Sequence, residues 1–400
     1  MIRIFSKSIL ILIGFLLVIH SSAQQKIGTW KDYLSFNNAT KVAVSSHKVF
    51  CVTEGGLFYF DRDDNSVNKF SGSISLNDFG VETIAYTDAG KVLVVAYSNS
   101  NIDLVYNTEV VNLSDIKRKQ ITGDKSINNI SFIDGDAYLS CGFGIVVINL
   151  EKQEIKDTYF IGDEGESVCV NDVESDGEFF YAATNNGILK AEKSSPNLLD
   201  FNNWVKVDDI PYSNEKFSHL AFHSGSIIAN YTPDKYNEDE LYIFRNNNWE
   251  RYLPSINYAY DIQVTQNFMV TASRGEIYLV DSNHTIRQKI NRYQLMGEEV
   301  FPVKPRSASI SEDGTVWIAD YNNALVRKSG ENFEKIFPGG PMENEIFSLT
   351  HSNSALWIAP GGTKGWERPR FQYFKDGNWK YFTPENHPEL EGFHNVVNIV

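Results

Sequence analysis

The chain has 400 residues, 42% of them hydrophobic and 13% aromatic, which supplies enough apolar surface for large buried cores and excludes a disordered chain. Its net charge of −15 at pH 7 argues against wholesale binding to nucleic acid or to an anionic membrane, because both need a positive footprint. A local basic patch is still compatible with an acidic whole.

The N-terminus reads as a secretory signal peptide over residues 1–23. Arg3 and Lys7 precede the apolar stretch from Ile9 to Ile19, and Ser21-Ser22-Ala23 offers small residues for cleavage before Gln24. That stretch is shorter than the roughly twenty residues of a membrane span, and no Cys follows it to accept a lipid. Loss of Arg3 and Lys7 would leave a mature chain at −17. The expected location is outside the cytoplasm, reached through the periplasm and associated with the outer membrane or cell surface through a partner, without a direct membrane span.

Beyond the signal, one phrase returns: a β-rich run, a small residue, a short turn often holding Gly, and a second β-rich run. It appears as Phe50-Cys51-Val52-Thr53-Glu54-Gly55-Gly56-Leu57-Phe58, and again as Tyr138-Leu139-Ser140-Cys141-Gly142-Phe143-Gly144-Ile145-Val146. Tyr181 to Leu189 and Val270 to Ile277 repeat it. The turn glycines Gly56, Gly144, Gly187 and Gly275 are separated by 88, 43 and 88 residues, a period near 44. Repeats of about 40–50 residues built from four short strands are the mark of β-propeller blades. Apolar and polar residues alternate around Gly, Asp, Ser and Asn turns, and no helical periodicity appears, so the fold class is all-β.

Second strands recur near Phe50, Leu93, Leu139, Tyr181, Ile228, Val270, Ile318 and Ile358, giving eight units. Outer strands carry a Trp after an Asn-rich turn at Trp204, Trp249 and Trp379, where the indole is expected to pack on the neighbouring blade. The mature chain opens with the same mark at Gly28-Thr29-Trp30-Lys31-Asp32-Tyr33. Read as an orphan outer strand, it would pair with the last blade and remove an open edge. Residues 27–330 then form a seven-bladed β-propeller of four-stranded antiparallel blades closed by the Trp30 strand. On this reading Glu331 to Phe337 opens a second propeller over 331–400, which breaks off at Phe393 to Val400 in a lone first strand, as a piece of a longer protein would. The competing count gives unit seven its own outer strand; the first arrangement is preferred.

Candidate chemistry is sparse. Cys51, Cys141 and Cys169 read as small buried residues. Asp61 to Ser66 resembles the start of a calcium loop but has Gly72 where the bidentate Glu belongs, so it reads as a solvated turn, as does the acidic run Gly162 to Glu166. His219 and His223 have metal-like spacing, yet they sit on a strand with no third ligand nearby in sequence. The densest basic run, Lys117, Arg118 and Lys119, is either a solvated inter-blade loop or an anion- or partner-binding lip. No Gly-x-Ser-x-Gly elbow, phosphate loop or His-Glu-x-x-His occurs, so no catalytic residue, metal or cofactor is expected.

The words between the strands carry a resemblance. Thr53 to Asp61, Asp115 to Lys119, Lys125 to Ile130, Leu139 to Val146 and Ala359 to Thr363 are similar to the PorZ family of the type IX secretion system, over most of residues 26–400. The resemblance implies a non-enzymatic surface accessory protein of two seven-bladed propellers and a C-terminal secretion domain. It also implies association with the attachment complex of the PorU sortase, PorV and PorQ, which links cargo to anionic lipopolysaccharide. Most of the second ring and all of the C-terminal domain have no counterpart in this sequence. Two other classes stay open at this point: the periplasmic sensor propeller of a two-component regulator, and a propeller lyase or glycosidase with acids converging on the axis.

Overall fold

The computed structural model describes residues 33–70, 75–121, 123–265, 267–295, 300–361, 370–384 and 386–399. The signal peptide and the Trp30 segment lie outside them. Eight four-stranded antiparallel sheets are formed, spanning residues 39–69, 81–113, 127–159, 170–206, 217–252, 259–290, 305–336 and 348–382. Each follows chain order from its innermost to its outermost strand. Among the described residues no helix is long and apolar enough to cross a membrane.

Blade sequence follows from blade position. A second strand lies between two strands of its own sheet, with both faces covered by adjacent blades, so alternation disappears there. Val92–Tyr97 is buried at every position, and Phe179–Thr184 at all but its first, as expected for strands covered on both sides. Outer strands meet solvent on one face and alternate, as in Glu154–Tyr159. Cys51 and Cys141 occupy equivalent second strands, are 0% exposed and are unpaired. Burial pushes both thiols far above their ordinary range.

The apolar core is divided. Seven clusters of buried side chains each join two blades, in the order 1/2, 2/3, 3/4, 4/5, 5/6, 6/7 and 7/1. The innermost strands of the first seven blades touch in the same cyclic order, with Pro305–Ile310 of blade 7 meeting Ala39–Val44 of blade 1. The expected Trp packing is realised at Trp204 and Trp249, which lie in the 3/4 and 4/5 clusters. Trp204 is buried between Phe180 of its own blade and Tyr159 of blade 3, and its indole N–H donates to the Leu198 carbonyl at 3.0 Å.

One boundary is corrected. Asn332–Ile336 does not open a second ring but pairs antiparallel with Ala324–Ser329, from Ser329↔Asn332 to Leu325↔Ile336. Blade 7 therefore has its own outer strand, and the competing count is the one realised. Ile336 joins Trp317 and Phe60 in the 7/1 cluster, so the strand is held by packing as well as by its ladder. Closure runs through the innermost strands and through Ala324, whose N–H donates to the carbonyl of Asn37, just before blade 1.

The chain then passes into the eighth sheet under a clamp made by residues preceding blade 1. Ser35 N–H donates to Asn344 Oδ1 at 2.7 Å, and Ser35 Oγ and Asn37 Nδ2 both donate to the Met342 carbonyl at 2.8 Å. Met342 N–H in turn donates to Oε1 of the buried Gln372 of the eighth sheet.

The recurring turn also has a steric cause. Gly187 has φ +112°, and a Cβ there would lie 2.1 Å from the Ser213 carbonyl oxygen. Gly187→Ala is thus expected to destabilise the fold by about 2 kcal/mol or more. A urea melt should show a lowered midpoint at an unchanged slope.

Candidate functional site

The first seven innermost strands surround an axial cavity of about 810 Å³. One end is rimmed by the turns at Ser45-Ser46, Asp88, Thr265 and Glu312-Asp313-Gly314. Its far end is lined by Lys41, Asn129 and Asp172. This end has a repeated construction. In every blade the innermost strand skips one residue in its pairing with the second strand, a β-bulge at the same place each time. The residue after the skip is polar in all seven: Lys41, Thr83, Asn129, Asp172, His219, Asp261 and Ser307. Together they form a polar collar.

The collar is wired from blade to blade. Asp261 accepts from Lys41 Nζ at 2.7 Å, Gln263 Nε2 at 2.9 Å and Ser307 Oγ at 2.6 Å. Ser307 Oγ also accepts from Val42 N–H at 3.2 Å, and Gln263 Nε2 donates to the Val42 carbonyl at 2.9 Å. These bonds tie blades 6, 7 and 1 at the place where the ring closes. On the opposite side Asp172 accepts from Asn129 Nδ2 of blade 3 at 2.7 Å and from Leu220 N–H of blade 5 at 2.9 Å.

Electrostatics follow from this wiring. Burial pushes the Asp172 carboxyl up despite its donors. Asp261 is also buried, but Lys41 and Ser307 hold it below the ordinary carboxylate range. Burial keeps the His219 imidazole below its usual range against the pull of Asp172 and Asp261, so it is neutral at neutral pH. Glu174, two residues along the strand from Asp172, faces the cavity; burial, aided by the Asp172 charge, pushes it up from 4.5 to about 7, against the Ser175 and Phe222 N–H groups.

The sign of the Glu174 effect is fixed. Its folded pKa lies above its unfolded one, so the folded state binds more protons between about pH 4.5 and 7 and loses stability as pH rises through that window. Glu174→Gln is expected to raise the melting temperature at pH 8 and leave it little changed at pH 4. A thermal melt at the two pH values checks this.

Of the candidate residues read from the sequence, all but His219 lie elsewhere. Lys117 and Arg118 end the short helix Asp115–Arg118 between blades 2 and 3, and Lys119 follows it. None of the three lines the axial cavity. Lys117 Nζ is paired with Asp78, Arg118 is 3.8 Å from Asp115, and the backbone carbonyls of Lys117 and Lys119 accept from Lys125 Nζ. His219 joins the collar, whereas His223 packs between blades 5 and 6 with Nε2 2.8 Å from the Asp281 carbonyl. Among the described residues no group of three His, Cys, Asp or Glu side chains is placed to hold a metal ion. In the Asp61 to Ser66 turn the carboxylates of Asp61 and Asp64 accept from the N–H groups of Asp63 and Ser66, as a solvated turn does.

The collar was not read from the sequence. Its signal was a polar residue just before the apolar part of each first strand, as at Lys41 before Val42 and Asn129 before Ile130. Chemically it is a set of satisfied inter-blade bonds. The Asp172 and Asp261 carboxylates are engaged in such bonds.

No curated protein matches the chain. Its fold is similar to the PorZ structure of Porphyromonas gingivalis, described as an essential bacterial surface component of the type IX secretion system. The TM-score is 0.72 at 21% identity over 89% of this chain and 46% of that one, so the chain spans about half the length of that protein. The WD40 propeller domain of Doa1 is similar at a TM-score of 0.51 and 15% identity, over 74% of this chain and 93% of that one. The model of the PorZ N-terminal β-propeller domain of the type IX secretion system matches residues 49–205. Residues 49–205, from the second strand of blade 1 into blade 4, are thus similar to the PorZ N-terminal β-propeller domain.

Proposed function

We propose that the chain acts as a non-enzymatic scaffold of the type IX secretion system at the cell surface. The observation that carries this reading is the match of residues 49–205 to the PorZ N-terminal propeller domain. The axial groups support it: the strongest acids and bases of the collar are spent on holding blades together, and a ring fixed in this way offers rigid faces for partners. In this reading the partners are the PorU sortase, PorV and PorQ of the attachment complex, and the cargo is joined to anionic lipopolysaccharide. The eighth sheet is the first blade of a second propeller. Within the basic run Lys117, Arg118 and Lys119, Asp78 pairs with Lys117 and Asp115 with Arg118, so the anion or partner contact rests chiefly on Lys119.

The test is capture from intact envelopes with the surface-exposed chain as bait. Recovery of the sortase and its outer-membrane companions supports the scaffold; their absence from an otherwise productive capture counts against it.

A further inference from the structure

The recurring second-to-third-strand turns and the blade-to-blade connections share one face of the ring, the face on which the bulges open. Over blades 5, 6 and 7 this face carries a continuous row of tyrosine and arginine. Tyr236 and Tyr258 meet edge to face at 5.3 Å, and Tyr258 and Tyr260 at 4.9 Å. The Arg274 guanidinium lies 4.0 Å over the Tyr236 ring. That of Arg306 lies 4.3 Å over Tyr260 and 5.0 Å over Tyr321.

Two features separate this row from ordinary surface. The first is charge. In this acidic chain Arg62, Arg245, Arg251, Arg287 and Arg327 each hold a carboxylate. Arg274 and Arg306 hold none among the described residues and rest on phenol rings instead. Glu54, the acid at Tyr321, already accepts from the Tyr321 hydroxyl and Asn38 Nδ2. The second is rigidity. Tyr260 and Arg306 are the skipped bulge residues of the innermost strands of blades 6 and 7, so the backbone that presents them is fixed by the collar. Arg274 and Tyr236 are exposed, Tyr236 by 56%.

We propose that this row is a docking surface for an acidic polypeptide segment. A guanidinium stacked on an aromatic ring keeps its in-plane N–H fork for a carboxylate, and rigid Tyr and Arg dominate the energetics of protein interfaces. A sugar would need open ring faces to stack on, and here a guanidinium already takes one face of Tyr236 and one of Tyr260. The surface stands independently of the secretion-system reading, since it is defined by its own chemistry.

The test is fluorescence anisotropy of the purified chain with a labelled 20-residue peptide of alternating Glu and Ser. Saturable binding is expected, with no binding of the Gln-Ser counterpart. Arg274→Gln/Arg306→Gln should weaken binding on the order of tenfold or more, and Arg274→Lys/Arg306→Lys should fall between, keeping charge but losing the fork. If the double Gln variant melts below the parent, Arg274→Gln alone, at an exposed site, gives the reading. The proposal is overturned by no saturable binding, by equal binding to the Gln variants, or by polygalacturonate competing as well as the peptide. The last result would assign the surface to an anionic glycan. None of these results bears on envelope capture, so the two readings fail separately.

Discussion

Asp261→Ala is expected to destabilise the fold by about 3–5 kcal/mol, the cost of removing one partner of a buried ion pair. Three donors converge on this carboxylate, from blades 1, 6 and 7, and its loss leaves Lys41 Nζ enclosed without a counter-charge. Asp261→Asn should cost less, since its amide oxygen still accepts. The native contribution also has a defined pH dependence. Lys41 and Ser307 overcome burial and hold the Asp261 carboxyl below its ordinary range. Its stabilisation is therefore complete above that range and is lost as pH falls through the folded pKa. Urea melts of parent and variant at neutral and acid pH should converge on the acid side. A difference that stays constant with pH would deny the carboxylate this role.

Trp317→Ala is expected to cost about 3–5 kcal/mol as well, through a different interaction. Trp317 is 1% exposed, the largest fully buried side chain among the described residues. It packs on Phe60 of blade 1 at 5.6 Å, and its indole N–H donates to Ser311 Oγ at 3.0 Å. It belongs to the 7/1 cluster, the one interface joining blades far apart in sequence. Closing a ring between such distant segments is entropically demanding, and apolar burial is what offsets it. A lowered urea midpoint, with proteolysis first appearing between blades 7 and 1, is the expected pattern. A loss below about 1 kcal/mol would mean that closure is carried elsewhere.

Much of this was legible in the sequence because it is local. The phrase around Gly56, Gly144, Gly187 and Gly275 reports a turn whose glycines take positive φ, and at Gly144 and Gly187 a carbonyl oxygen also leaves no room for a Cβ. The same holds for Trp204 and for the small buried Cys51 and Cys141, whose type follows from their place in a blade. The outer strand of blade 7 was not legible. The Trp30 segment and Asn332–Ile336 have the same alternating pattern, and that pattern does not say whether Asn332–Ile336 folds back as a hairpin on Ala324–Ser329, as it does, or begins the next unit.

The sequence by itself determined the all-β class, the unit of about 44 residues and the strands within each unit, since period-two alternation and turn chemistry act over a few residues. Only the tertiary structure decided where the ring shuts, and that seven polar residues from as many blades meet in one collar. Along the chain Lys41, Asp172, His219 and Asp261 look like ordinary half-exposed strand residues. They become neighbours because seven sheets converge on one axis, where burial favours polar groups that find partners on other blades, as Lys41 does with Asp261 and Asp172 with Asn129.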